Sequence, residues 1–395
     1  MITIKDNSVF IRNIYSVILA SLPAIMAIRV PGINKGLATV LLILSVPFPL
    51  WRICVGRNFR GSWVLVLFLV WAFIRSMNSM EECICLVLVM IHCLGVLNGA
   101  LNAKLFRKTL MVVAEFSAAL VILQSILYYI FGIPTYLLPK FLLLEDNAYY
   151  IKKYFSVLEK ESLFRPCALF LEPAHFTQYS IAGLVASLFW EKGRKKWVKV
   201  ILISVGCILT TSGMGIAMVI GAYGWYFLFA EKEKYTRLPS FVLLFWVGII
   251  AFAILMEVPF FHDAVMRVVG HESNGYNAIW GRVLYWDNYV SPLKGLNLAF
   301  GKGFQESYTG YVTSAISLIY SYGLFGTLAY LGAVSSFSFY SKDSGTYFLG
   351  FLYMALLFIS NSSGFISMVY WFSLLSSARF IGTEKEKSTS RIDTK

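Results

Sequence analysis

The sequence predicts an all-α protein that crosses a membrane many times, and three observations carry the prediction. Of 395 residues, 58% are hydrophobic and only 14% charged, more apolar and less charged than soluble domains are. The apolar runs have about the length of a helix that spans a hydrocarbon core, roughly 20 residues. No strand-like alternation recurs of the kind an outer-membrane barrel needs.

Taken in chain order, the apolar runs place helices near 12–29, 37–51, 62–76, 83–101, 109–131, 174–190, 198–212, 214–230, 240–257, 312–340, 346–361 and 364–380, about twelve spans. The first is expected to be a retained span, because no small-residue cleavage site accompanies it. The pair 198–212 and 214–230 is parted by "TTSGMG", read either as a tight outer turn or as a break inside one longer segment. Together they form one transmembrane helical domain over 1–383, followed by a polar cytoplasmic tail over 384–395.

Charge fixes the expected orientation. With both termini cytoplasmic, the inner segments hold Arg12, Arg52, Arg57, Arg60, Lys104, Arg107, Lys108, a basic run between Lys192 and Lys199, and Lys232, Lys234 and Arg237. The short outer turns hold only Arg29, Lys35 and Arg75, so the positive-inside rule selects this topology. The formal net charge of +13 is then a topology signal, and nucleic acid is not an expected partner. Cys83, Cys85 and Cys167 face the outer side, where a disulfide is conceivable.

Two outer loops, about 132–173 and 258–311, exceed ordinary connections. They collect His175, His262, His271, Arg165, Glu172, Arg267, Glu272 and Arg282, so the working face is expected outside. In the first, residues 151–160 carry apolar Ile151, Tyr154, Phe155 and Leu158 opposite charged neighbours, a helix expected to lie flat on the leaflet. In the second, Arg282 falls in a short helix whose Trp280, Tyr285 and Trp286 suit the headgroup interface. Gly301 and Gly303 follow, where backbone amides can approach an anion. No metal is expected, since the spacing of His262, Asp263, His271 and Glu272 matches no ligand pattern.

The sharpest segment is "RPCALFLEPAHFTQY", residues 165–179. Pro173 suits the first turn of a helix, which puts Glu172 at the N-cap. His175 and Gln178 then follow on one face. An arginine, a carboxylate and an imidazole beside a membrane are parts for anion binding and proton transfer. The plain alternative for Glu172 is helix capping.

That segment is similar to the R-x-x-x-x-F-x-E-P-x-x-F-x-x-Y pattern of Wzy-type polysaccharide polymerases, which extend O-antigen and capsule repeat units. "TTSGMG" resembles the Thr-x-Ser-x-Thr-Gly-like turn of such proteins, without the Arg that often follows the Ser. "GRVLYWDNYVSPLKGLNLAFGKGF", residues 281–304, resembles their Gly-Arg, aromatic and Gly-x-Gly-Phe run. The resemblance implies a GT-C-like helical fold in a bacterial inner membrane, active on the outer face without cofactor, nucleotide sugar or metal. It implies that glycan on undecaprenyl pyrophosphate is donor and acceptor, with a chain-length regulator and a flippase as partners. Catalytic candidates are Glu172, His175, Arg165 and Arg282. Substrate-binding candidates are Arg267, Gln178, Tyr179, His271, Gly301 and Gly303. O-antigen ligase is the first alternative and a flippase or transporter the second. Against the transporter, Glu115 lies near the inner end of its helix and His92 is a lone polar residue suited to satisfaction within the bundle.

Overall fold

A computed structural model of the chain describes residues 3–32, 35–56, 63–137, 140–143, 164–229, 257, 280–305, 308, 312–339, 343–361 and 364–390. The expected helix at 240–257 and the flat helix at 151–160 lie outside the described residues. Helices account for the regular structure among the described residues: α1 Thr3–Ile25, α2 Leu37–Ser45, α3 Pro47–Gly56, α4 Trp63–Arg75, α5 Met80–Gly95, α6 Ala103–Phe131, α7 Pro173–Val185, α8 Lys195–Leu209, α9 Gly213–Phe229, α10 Trp280–Tyr289, α11 Leu296–Phe300, α12 Ser314–Phe339, α13 Ser344–Ile359 and α14 Phe365–Ser390. Among the described residues, five stretches are long and apolar enough to cross a membrane: Ser8–Ile25, Leu37–Gly56, Met80–Ala100, Ala103–Phe131 and Ser314–Ser338. Their outer faces are apolar, as at Leu44, 70% exposed, and Leu328, 65% exposed, which fits lipid and not water as the surrounding medium. The chain is an α-helical membrane protein.

Contacts divide the chain into two units, one of Met1–Leu22, Thr39–Arg107 and Ile279–Lys395, the other of Pro23–Ala38 and Lys108–Ala278. In the first unit, α12 packs on α4, α11 and α13. Its interior is aromatic: Phe68, Tyr330, Tyr353 and Phe372 are fully buried, and Trp371 stacks on Tyr353 at 4.7 Å. His92 pairs through Nδ1 with the hydroxyl of Tyr15 at 2.8 Å, while its Nε2 is buried with no hydrogen-bond partner, so the expected satisfaction within the bundle is met at one ring nitrogen. Arg12 donates from Nε and Nη2 to the Leu101 carbonyl, at 3.2 and 2.8 Å, and so ties α1 to the turn before α6.

The expected span 312–340 is present as α12, with a kink inside it. Gly323 sits at φ 71°, ψ −177°, inside α12. Inside a membrane protein every backbone carbonyl freed by such a break needs a donor. Lys302 N donates to Tyr320 O at 2.7 Å, Gly303 N to Ser321 O at 3.0 Å, and the Trp71 indole to Tyr322 O at 2.9 Å. The segment 299–304 thus fills the break with its own backbone. Arg75 anchors it, giving Nη2 to Gly301 O at 2.6 Å and taking the Phe304 amide on its carbonyl at 3.1 Å.

The second unit is built on close helix contact. A Cβ on Gly183 would strike Ala114 of α6, one on Gly206 would meet Ala118 at 2.8 Å, and one on Gly215 would meet Thr177 at 2.5 Å. Small residues at such places let backbones approach where lipid supplies no hydrophobic drive between helices. Lys199 closes an ion triad with Glu115 at 3.2 Å and Glu191 at 2.8 Å.

Candidate functional site at the start of helix α7

In the second unit the segment leading into α7 is held in place before it turns into the helix. Gln124, fully buried on α6, takes the Ala168 amide on Oε1 at 2.8 Å and gives Nε2 to the Thr135 carbonyl at 2.9 Å. Tyr136 donates to Phe170 O at 2.9 Å, and Phe164 stacks on Tyr128 at 4.6 Å. The chain then reverses, with Phe170 N bonded to Cys167 O at 3.0 Å and Ala168 at φ 54°. A left-handed residue with a Cβ is strained, and such strain concentrates where a structure is holding something in position. Phe164, Cys167 and Phe170 go inward, whereas Arg165, Glu172, His175 and Gln178 stay half-buried.

The expected helix start is met: Pro173 occupies the first turn and Glu172 is the N-cap at φ −140°, ψ 152°. The Glu172 carboxylate nevertheless makes no capping hydrogen bond. Its backbone carbonyl takes the His175 amide at 3.1 Å. His175 Nδ1 is buried with no hydrogen-bond partner. Tyr179 is 1% exposed and packs against Phe170, so its ring belongs to the wall behind these residues.

Both charges are felt at Cys167. Burial pushes its thiol up to about 12, the Glu172 carboxylate adds to the rise and the Arg165 guanidinium opposes it. A thiol whose pKa is raised stays protonated at neutral pH, and a protonated thiol is a poor nucleophile. Cys167 is a free thiol, not part of a disulfide. Cys167 in the folded protein is therefore expected to resist maleimide at pH 7 and to label fully once denatured, read by mass spectrometry. Rapid labelling of the folded chain would contradict the burial.

Of the second-loop candidates, Arg267 and His271 lie outside the described residues. Arg282 is placed in α10 of the first unit. Gly301 and Gly303 have positive φ, 79° and 102°, but their amides are taken by Asn297 O at 2.9 Å and Ser321 O at 3.0 Å. Their conformational freedom serves the close approach to α12, where a Cβ on Gly301 would strike Ser321 O. An anion reading of these glycines has no open amide there to rest on.

Two residues escaped the sequence reading. Gln124 was visible as a lone amide in an apolar run, the usual mark of a polar group with a task inside a membrane protein. Thr211, at φ 51° in the turn between α8 and α9, was not, because nothing in "TTSG" says which residue turns left-handed. Compared with known proteins, the chain matches no family model and no curated protein.

Proposed function

We propose that this chain is a membrane glycosyltransferase that polymerises lipid-linked glycan repeat units on the outer face of a bacterial inner membrane. The supporting observation is the grouping of Arg165, Glu172 and an unpartnered His175 nitrogen at the mouth of a helix in a membrane protein. Outside the cytoplasm no nucleotide sugar is at hand, so the donor must carry its own leaving group, as glycan on undecaprenyl pyrophosphate does.

In the reaction, an acceptor hydroxyl attacks the anomeric carbon, a new glycosidic C–O bond forms, and the bond to the pyrophosphate breaks. The hydroxyl proton passes to Glu172, with His175 the second candidate base. Negative charge grows on the departing pyrophosphate, which the guanidinium of Arg165 stabilises by a two-pronged contact. Arg282 and Arg267 are further arginine candidates, read from sequence alone.

Deleting the gene and staining surface polysaccharide tests the reading. A polymerase deletion leaves single repeat units on the acceptor. Long chains left on the carrier lipid would identify a ligase, and no export at all a flippase; either result overturns the proposal.

A further inference from the structure

We propose that the Thr211 hydroxyl is a carbohydrate-binding group that takes a hydroxyl of the acceptor sugar beside Glu172; this rests on the polymerase reading. Thr211 carries two unrelieved costs. It holds φ 51°, rare for a β-branched residue. It is 5% exposed, and its Oγ1 is buried with no hydrogen-bond partner. The backbone there is a helix C-cap: Thr210 N bonds to Gly206 O at 3.3 Å and Thr211 N to Ile208 O at 3.0 Å. Glycine ordinarily fills the left-handed position of such a cap and would remove both costs. A strained residue with an orphaned buried hydroxyl asks for a ligand as the missing partner.

Helix geometry gives the level of the turn that carries Thr211. A Cβ on Gly183 of α7 would meet Ile203 of α8 at 3.8 Å, and one on Gly206 would meet the Phe176 ring at 3.4 Å, so the two helices run antiparallel. From Gly206 to Thr210 the chain climbs about 6 Å, and from Phe176 back to Glu172 it climbs about the same, at 1.5 Å per residue. Gly215, on the descending α9, lies against Thr177. The turn holding Thr211 therefore comes level with Glu172, and the orphaned Nδ1 of His175 lies one turn into α7.

The neighbouring carboxylate decides the ligand class. On the polymerase reading Arg165 takes the phosphate, which leaves the Glu172 carboxylate and Thr211 to the uncharged acceptor sugar. A sugar hydroxyl gives its proton to the carboxylate and accepts one from threonine, whose hydroxyl does both. Thr211 then orients the acceptor whose proton Glu172 removes.

The test uses the full chain with Thr211→Val, Thr211→Gly and Thr211→Ser at equal membrane level. Valine keeps the shape and loses the hydroxyl, so its polymer should fall at least tenfold, while Thr211→Ser should make polymer where valine does not. Thr211→Gly should melt higher than the wild type and still lose polymer. Full-length ladders from Thr211→Val or Thr211→Gly would overturn the proposal. A second readout is the melting shift with oligosaccharide released from the host's own lipid-linked repeat unit, expected for the wild type and absent in Thr211→Val. If gene deletion spares the polymer, the polymerase reading falls, yet that pair of shifts would still uphold carbohydrate binding at Thr211. No shift in the wild type, or an equal one in Thr211→Val, overturns it.

Discussion

Gly323→Ala is expected to abolish accumulation of folded protein. At φ 71°, ψ −177°, a region essentially confined to glycine, an alanine costs about 1–3 kcal/mol from the backbone alone. The added methyl would land on the Ala299 carbonyl and the Gly301 amide, both backbone, so neither can swing aside as a side chain would. Relief requires pulling 299–303 away from α12. That would break the bonds from Lys302 N to Tyr320 O and from Gly303 N to Ser321 O, orphaning carbonyls at about 1–3 kcal/mol each. Against a total stability of about 5–15 kcal/mol, the sum removes most of the margin. Gly301→Ala meets Ser321 O and Gly323 N from the other side and should behave alike. Gly224→Ala is the control, since a Cβ there meets nothing within 4 Å, and it should be neutral or stabilising. Membrane protein level and a single gel-filtration peak in detergent are the readouts. A Gly323→Ala protein with wild-type level and peak would mean that the break in α12 is not needed.

What the sequence made legible was local. Pro173 and Glu172 announced the start of α7 because proline at a first helical turn fixes φ and sacrifices no hydrogen bond. His92 read as a polar residue held within the bundle, and Tyr15 is the partner of its Nδ1. The break at Gly323 was not legible, since "YSYGLFGTLAY" carries no charge and no proline, and a glycine within a span has the same composition whether the helix bends there or not. What decides it is the 299–304 segment, distant along the chain, whose amides supply the missing donors. The span expected at 37–51 likewise divides before Pro47 into α2 and α3, because proline cannot extend the hydrogen-bond ladder of α2. In the candidate site the charged residues were readable by type and spacing. The bracing by Gln124, and the left-handed turns at Ala168 and Thr211, depend on tertiary contacts and were not.

Glu172→Gln is expected to leave the protein folded and to end polymer formation. The competing explanation for a carboxylate at this position is capping, whose loss costs about 1 kcal/mol. Here the Glu172 side chain makes no capping hydrogen bond, so no such bond is lost. What glutamine forfeits in stability is the attraction of a negative charge to the helix start, about 0.3–1 kcal/mol, too little to unfold the chain. Glutamine keeps the shape and an acceptor oxygen but cannot take a proton at neutral pH, so the loss falls on the chemical step, of order 10²–10⁴ for a general base. Arg165→Lys completes the argument from the other side. Lysine keeps the charge but loses the planar fork that grips two phosphate oxygens, so a leaving-group role predicts nearly the loss of Arg165→Ala, whereas an exposed ion pair, worth little in any case, predicts none. Both variants are read as ladder length on a gel stained for surface polysaccharide, at matched membrane level. Full-length ladders from Glu172→Gln would remove it as the base and pass that role to His175, and full-length ladders from Arg165→Lys would leave that arginine without a part in holding the pyrophosphate.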